Sequence, residues 1–83
     1  MLILYSTPWC GDCKALKQAL ATFNLPYREI NIDQHPEAEQ EVLTLNNGRR
    51  GVPTLVYAGQ AASFSGFSVA RLRAWLQAVG IQP

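Results

Sequence analysis

The spacing of apolar side chains changes from one segment of the chain to the next, and each change predicts a new element. Residues 2–5 form a short continuous apolar run, which is typical of a buried strand. Across residues 11–23 the apolar positions recur at spacings of four and three, the pattern of an amphipathic helix. The face expected to be buried carries Leu16, Leu20 and Phe23. The chain is therefore predicted to open with a strand followed by a helix.

The middle of the chain repeats this order. Residues 27–32 place apolar side chains at the alternate positions Ile30 and Ile32, and this pattern predicts a second strand. A second helix is expected to begin between residues 33 and 36, with Asp33 as its N-cap, because a carboxylate there accepts from unpaired amides of the first turn. Its buried face is predicted to carry Ala38, Val42 and Leu45.

The last part of the chain predicts a hairpin and a final helix. Residues 52–57 and 61–65 indicate two more strands, and the short turn at 58–60 makes the pair antiparallel. Ser68 is expected to cap the last helix, whose inner face carries Val69, Leu72, Leu76 and Val79. The predicted order is β-α-β-α-β-β-α, an α/β fold in which three helices flank a four-stranded mixed sheet. Its first two strands should be parallel, because a helix connects them.

Composition limits the classes of function open to this chain. Its 83 residues are 48% hydrophobic and 16% charged, which is typical of a folded globular protein. The net charge is +1 and the longest basic run is Arg49-Arg50, so nucleic-acid binding is not expected, because phosphate neutralisation supplies most of that affinity. No stretch approaches the ~20 apolar residues that span a bilayer. The apolar start of the chain lacks the marks of a leader, so we expect a cytoplasmic protein.

The two cysteines are the candidate chemical groups. A structural disulfide between Cys10 and Cys13 would close a very small loop and remove little entropy from the unfolded chain. A zinc site would need two more ligands, and the only histidine, His35, falls in a predicted turn, so no metal site is expected. Cys10 lies where the first strand meets the first helix, and a helix N-terminus favours a thiolate. We therefore predict that Cys10 is the nucleophile of a redox pair and that Cys13 resolves the mixed disulfide.

A resemblance to a known family adds to this prediction. The segment Tyr-Ser-Thr-Pro-Trp-Cys-Gly-Asp-Cys at residues 5–13, with Gly-Val-Pro-Thr at 51–54, resembles the glutaredoxin branch of the thioredoxin superfamily. The resemblance implies one thioredoxin-like domain over residues 1–83 and no bound cofactor. It also implies that Pro53 follows a cis peptide bond and faces the cysteines, and that the backbone of Val52 pairs with a bound thiol or peptide.

Two branches of the family compete as interpretations. Residues 46–54 are similar to mycoredoxins, which use a low-molecular-weight thiol, and Arg49 or Arg50 is expected to pair with a carboxylate of that thiol. The segment Phe-Ser-Gly-Phe at residues 64–67 resembles redoxins that are reduced by thioredoxin reductase with NADPH and serve ribonucleotide reductase. Near the start of the last helix, Gly66 is expected to contribute to substrate binding, and the backbone amides of Phe67 and Ser68 are expected to bind a carboxylate.

Two neighbours of Cys10 are also predicted to contribute to binding. Trp9 is expected to be exposed and to offer an apolar contact surface to a partner protein. Asp12 stands where members that depend on glutathione commonly carry tyrosine. Its carboxylate suits a helix N-terminus but disfavours a second anion nearby.

The prediction is therefore a dithiol thiol–disulfide oxidoreductase that reduces protein disulfides or mixed disulfides with a small thiol. The alternative is an electron donor to ribonucleotide reductase that is itself reduced by thioredoxin reductase. A more remote alternative is an iron–sulfur cluster carrier. The expected partners are disulfide-containing proteins with a small thiol or thioredoxin reductase, and the protein is expected to act as a monomer.

Overall fold

The computed structural model describes residues 2–45 and 51–82. The elements follow in the order β1 (Leu2–Ser6), α1 (Gly11–Thr22), β2 (Tyr27–Asn31), α2 (Pro36–Leu45), β3 (Thr54–Tyr57), β4 (Gln60–Ser63) and α3 (Val69–Ala78). The predicted order β-α-β-α-β-β-α is confirmed. Among the described residues, no helix is both long and apolar enough to cross a membrane.

The four strands form one sheet in the order β2-β1-β3-β4. Strands β1 and β2 are parallel, with Leu4 opposite Glu29, and strands β1 and β3 are antiparallel, with Leu4 opposite Leu55. Strands β3 and β4 are also antiparallel, so both predicted pairings are confirmed. Because β1 lies inside the sheet, the loop that follows it is supported by a strand on either side.

The sheet is covered on both faces. The larger core joins Leu2 and Leu4 of β1 to α1 and α3, and its other buried members are Leu16, Leu20, Leu55, Phe64, Leu72 and Leu76. A smaller core on the opposite face joins Tyr5 and Ile32 to Ala38 and Val42 of α2. This division follows from the pleat of β1, since successive side chains of a strand point to opposite faces. Helices α1 and α3 therefore share one face of the sheet, and α2 covers the other.

The bounds of both hairpin strands differ from those that the sequence predicted. Strand β3 starts at Thr54 rather than at residue 52, and β4 covers Gln60–Ser63 rather than residues 61–65. Proline has no backbone N–H, so Pro53 cannot donate to the ladder. Its carbonyl oxygen still accepts from the amide of Phe64 at 2.8 Å, just beyond the regular pairing. Val52 and Pro53 thus lie in the loop before the strand.

Two expectations about α2 were wrong. The helix begins at Pro36, and the His35 carbonyl accepts from the amides of Ala38 and Glu39 at 2.9 and 3.1 Å, so Asp33 is not its N-cap. Proline suits the first helical position because it has no N–H to leave unpaired, which places the start of the helix here. Leu45 is 41% exposed at the last residue of the helix, so the buried face ends at Val42.

The capping prediction for α3 is confirmed. Ser68 has an extended backbone, and its hydroxyl oxygen accepts from the amide of Arg71 at 3.4 Å. Leu72 and Leu76 are fully buried, whereas Val69 is 45% exposed and does not belong to the inner face. The cap and these two leucines set where the loop before α3 meets the start of α1.

Candidate active site

Cys10 is the N-cap of α1. Its backbone is extended, and its Sγ accepts a hydrogen bond from the amide of Cys13 at 3.0 Å. The amide of Cys10 in turn donates to the Thr7 carbonyl at 3.4 Å, so the connection from β1 to α1 is a tight turn. A sulfur that accepts an amide at a helix N-terminus is a favourable place for negative charge. Cys10 is half-buried, so reagents can reach it.

Cys13 lies one turn further along α1 and is only 1% exposed. Burial, reinforced by a hydrogen bond to Cys10, raises the pKa of the Cys13 thiol to about 12 from its ordinary 9.0. The backbone of Thr7 and the charge of Lys17 oppose this shift in the pKa of Cys13 without cancelling it. No disulfide joins the two cysteines. The pair therefore consists of an accessible sulfur and a buried thiol that keeps its proton.

Trp9 forms one flank of this pair. Its side chain is 67% exposed, which confirms the predicted exposure, and its indole N–H donates to Asp33 Oδ2 at 3.0 Å. The Asp33 amide donates to Asn31 Oδ1 at 2.9 Å, so the acceptor is held at the end of β2. Sequence reasoning took Asp33 for a helix cap and missed this contact. This flank is therefore the indole ring of Trp9, held in place by the hydrogen bond that its N–H donates to Asp33.

Asp12 forms the other flank. The amide of Gly66 donates to Asp12 Oδ2 at 2.9 Å, and the amide of Phe67 donates to Asp12 Oδ1 at 3.3 Å. Sequence reasoning expected amides here to receive a ligand's carboxylate, with Ser68 as a second donor. The structure places the chain's own carboxylate on Gly66 and Phe67, while Ser68 caps α3. This contact links the first turn of α1 to the loop before α3.

The Val52–Pro53 peptide bond is cis, as the resemblance implied. Pro53 is buried, and the carbonyl oxygen of Val52 accepts from the Ser65 hydroxyl at 3.3 Å. This contact joins the loop before β3 to the loop after β4. The expected pairing of Val52 with a bound thiol or peptide stays a prediction. Arg49 and Arg50, expected to bind a carboxylate, lie outside the described residues.

The described residues contain no group of three or more His, Cys, Asp or Glu side chains that could hold a metal ion. His35 is exposed, as expected, and its Nδ1 lies 3.6 Å from Glu37. A cavity of about 440 Å³ between α2 and the sheet includes neither cysteine; it is lined by Tyr5, Gln40, Glu41, Thr44, Leu45 and Val56. The cysteine pair therefore lies apart from this cavity, where β1 leads into α1.

The chain is similar in sequence to known proteins. The sequence model of the Glutaredoxin family matches residues 2–62. Mycoredoxin 1 of Corynebacterium glutamicum is 38% identical over 55 residues, which cover 66% of this chain and 67% of that protein. The glutaredoxin-like protein NrdH of Lactococcus lactis is 35% identical over 72 residues, which cover 87% of this chain and 94% of that protein.

Solved structures agree on the fold. The NrdH-redoxin from Escherichia coli superimposes with a TM-score of 0.65 at 28% identity, over 86% of this chain and 92% of that one. The predicted thioredoxin-like fold is thereby confirmed. With its family model matched over most of the length and its fold shared with these neighbours, the chain belongs to the glutaredoxin family and is a glutaredoxin-like redox protein.

Proposed function

We propose that this protein is a dithiol thiol–disulfide oxidoreductase that reduces protein disulfides or mixed disulfides with a low-molecular-weight thiol. One observation carries the proposal: the accessible Sγ of Cys10 accepts the amide of Cys13 at 3.0 Å, while the Cys13 thiol lies buried behind it. A disulfide reductase needs one sulfur that attacks and a second that is held back until the first has reacted.

The reaction proceeds in two exchanges. The Cys10 thiolate attacks one sulfur of the substrate disulfide, forms a mixed disulfide and releases the other sulfur as a thiolate that takes up a proton. Cys13 then loses its proton and attacks Cys10 Sγ, which forms the Cys10–Cys13 disulfide and releases the second substrate thiolate. Of the two protons that the substrate thiolates take up, one balances the proton that Cys13 releases and the other comes from solvent. The substrate gains two electrons, and the protein loses the same two electrons. An external thiol or dithiol returns them.

The surroundings of Cys13 support this order of steps. Burial is the largest cause of its raised pKa, but the hydrogen bond and the charge of Cys10 also contribute. Both contributions from Cys10 disappear once its sulfur is bound in a mixed disulfide, so the Cys13 pKa falls toward its ordinary value at that moment. Cys13 thus becomes a better nucleophile only when there is a mixed disulfide to resolve.

We assign substrate binding to the residues that surround Cys10 and Cys13. We propose that the exposed ring of Trp9 contacts the protein partner and that Val52, Pro53, Gly66 and Phe67 line the opposite side. An aromatic ring with one polar atom already satisfied buries apolar area at small cost in desolvation. Ser68 supports this side by holding the start of α3.

An electron donor to ribonucleotide reductase, reduced by thioredoxin reductase, is the second candidate. It is supported by the match to NrdH, which extends over 94% of that protein, whereas the match to Mycoredoxin 1 covers 67% of its length. The chemistry at Cys10 and Cys13 is the same in both candidates. They differ in the source of electrons.

The test is reduction of insulin disulfides, followed by turbidity, with three alternative sources of electrons. These are thioredoxin reductase with NADPH, glutathione with its reductase and NADPH, and dithiothreitol as a direct reductant. We expect the wild-type protein to accelerate reduction with dithiothreitol and Cys10→Ser to give only the uncatalysed rate. Full activity of Cys10→Ser would contradict the proposed function. Of the two NADPH-coupled arms, the one that supports turnover identifies the electron source.

A further inference from the structure

The carboxylate of Asp12 occupies a pair of backbone donors that a substrate would otherwise meet. Asp12 lies between Cys10 and Cys13 in the first turn of α1, and its two oxygens accept separately from the amides of Gly66 and Phe67 at 2.9 and 3.3 Å. These donors therefore contact the side chain that lies between the two cysteines in sequence. A carboxylate bound by two amides is a charge-assisted pair of hydrogen bonds, which is stronger than a neutral pair.

The peptide groups that carry these amides are polarised from their other side. Nη1 of Arg71 donates to the carbonyl oxygens of Ser65 and Gly66 at 3.2 and 3.3 Å. The Ser65 carbonyl shares its peptide group with the Gly66 amide, and the Gly66 carbonyl shares its group with the Phe67 amide. Each peptide group is thus held between the guanidinium of Arg71 and the carboxylate of Asp12. This arrangement orients the N–H bonds toward the Asp12 carboxylate and strengthens them as anion donors.

We propose that Asp12 is a specificity-determining residue that discriminates against substrates with a carboxylate close to the reacting sulfur. The inference rests on the proposed function and names the kind of disulfide that this site favours. A substrate carboxylate has to displace an acceptor that belongs to the same chain and is present at high effective concentration. It also meets a like charge. Neutral disulfide segments of proteins meet neither obstacle.

The test compares two small disulfides that differ in charge, 2-hydroxyethyl disulfide and the dianion of 3,3′-dithiodipropionic acid. The ratio of kcat/KM for the dianion to that for the neutral disulfide is measured for the wild type, Asp12→Asn and Asp12→Ala. We expect Asp12→Ala to raise this ratio about tenfold, because it frees both amides and removes the charge. Asp12→Asn should raise it less, since its amide oxygen still accepts one N–H.

Asp33→Asn is the matched control. It removes one negative charge from the Trp9 flank but leaves the amides of Gly66 and Phe67 occupied by Asp12. We expect it to leave the ratio within about twofold of the wild type. A rise equal to that of Asp12→Ala would show that net charge alone is responsible, and it would overturn the inference.

A second measurement does not depend on turnover. In the ¹⁵N–¹H spectrum of Asp12→Ala, sodium propionate should shift the amide resonances of Gly66 and Phe67, whereas the wild type should show no such shift.

If the neutral disulfide is reduced but neither the ratio nor these resonances change, the inference fails and the proposed function stands. Equal losses for both disulfides in Asp12→Ala would show a purely structural contact and would overturn it too. If the wild type reduces neither disulfide, the proposed function is wrong and the specificity role fails with it.

Discussion

Cys10 and Cys13 belong to the same helical turn but lie in opposite surroundings. Cys10 is half-buried at the tip of the turn, and its sulfur accepts a backbone amide. Cys13 is 1% exposed against the core, and burial raises its pKa to about 12. The same type of side chain is thus an accessible acceptor of an N–H bond at one position and a shielded thiol at the other.

This difference in surroundings is the physical basis of the two roles that we propose for the cysteines. A helix N-terminus stabilises a charged sulfur that reaches its free amides, and desolvation destabilises a charged sulfur in the interior. The cap position of Cys10 and the core position of Cys13 are separated by one turn of helix, so the two effects act on neighbouring sulfurs in opposite directions. The following predictions test this division, beginning with the largest expected effect.

Loss of the buried thiol should stop the reaction halfway. In Cys13→Ser the Cys10 sulfur still attacks a protein disulfide, but no resolving thiol remains, so the mixed disulfide should accumulate instead of product. A non-reducing gel should show a covalent complex that dithiothreitol dissolves. Cys10→Ser, the matched control, should give no complex, because its remaining thiol is buried. A stable complex formed by Cys10→Ser would reverse the assigned roles.

Alkylation should separate the two thiols by rate. With a pKa of about 12 rather than 9.0, the fraction of Cys13 thiolate at pH 7 is about 10³ times smaller than that of an ordinary cysteine. Iodoacetamide at pH 7 should therefore label only Cys10 in the folded protein and both thiols in urea, as mass spectrometry of peptides can show. Equal labelling of both thiols in the folded protein would contradict the assignment.

The raised pKa of Cys13 also makes the free energy of unfolding depend on pH in alkaline solution. The folded state keeps the Cys13 proton between pH 9 and 12, while the unfolded state loses it from about pH 9 upward. The contribution of this thiol to the free energy of unfolding is therefore complete below pH 9 and is lost as the pH rises through 12.

The smallest expected effect concerns the hydrogen bonds that Glu29 of β2 accepts from side chains of β1 and α1. Glu29 Oε2 accepts from Ser6 Oγ at 2.7 Å and from Lys17 Nζ at 3.1 Å. The hydrogen bond from Ser6, followed by that from Lys17, lowers the pKa of Glu29 against the opposing effect of burial. We expect Ser6→Ala to lower the free energy of unfolding at pH 7 by about 1 kcal/mol and Lys17→Met by about 0.5 kcal/mol, since the second pair is more exposed.

At acidic pH, Ser6→Ala and Lys17→Met should no longer differ from the wild type in free energy of unfolding. Because the pKa of Glu29 is lower in the folded state, its contribution to stability is present above the ordinary value of 4.5 and is lost as the pH falls through the folded pKa. Urea unfolding of each variant at pH 7 and at pH 3 measures this. A difference that persists unchanged at pH 3 would show that Glu29 is not the group involved.

Local patterns predicted much of the fold and part of the site. The position of Cys10 at a strand–helix junction, the parallel pairing of β1 with β2 and the Ser68 cap are all confirmed. Errors arose at the starts of two elements: β3 begins at Thr54 rather than at residue 52, and α2 begins at Pro36, within the predicted interval, but is not capped by Asp33. In the first segment a proline without an N–H interrupts a hydrophobic pattern that extended further, and in the second a proline occupies the first helical position.

The long-range contacts of the candidate site could not be predicted from local sequence patterns. Sequence reasoning placed Asp12 at the helix N-terminus beside Cys10 but gave it no partner elsewhere, because Gly66 and Phe67 lie 54 and 55 positions away along the chain. Trp9 was correctly expected to be exposed, but its bond to Asp33 joins residues 24 positions apart. No spacing rule connects such residues, since each pair meets only after the elements between its members have packed together.

By itself, the sequence determined the order of the elements and the placement of a cysteine pair at a helix start, because periodicity and capping depend on free energies shared among a few neighbouring residues. The tertiary structure decided which of the two thiols is desolvated and which backbone amides the Asp12 carboxylate accepts from. Desolvation and long-range hydrogen bonds exist only once the sheet has brought α1 and the loop before α3 together.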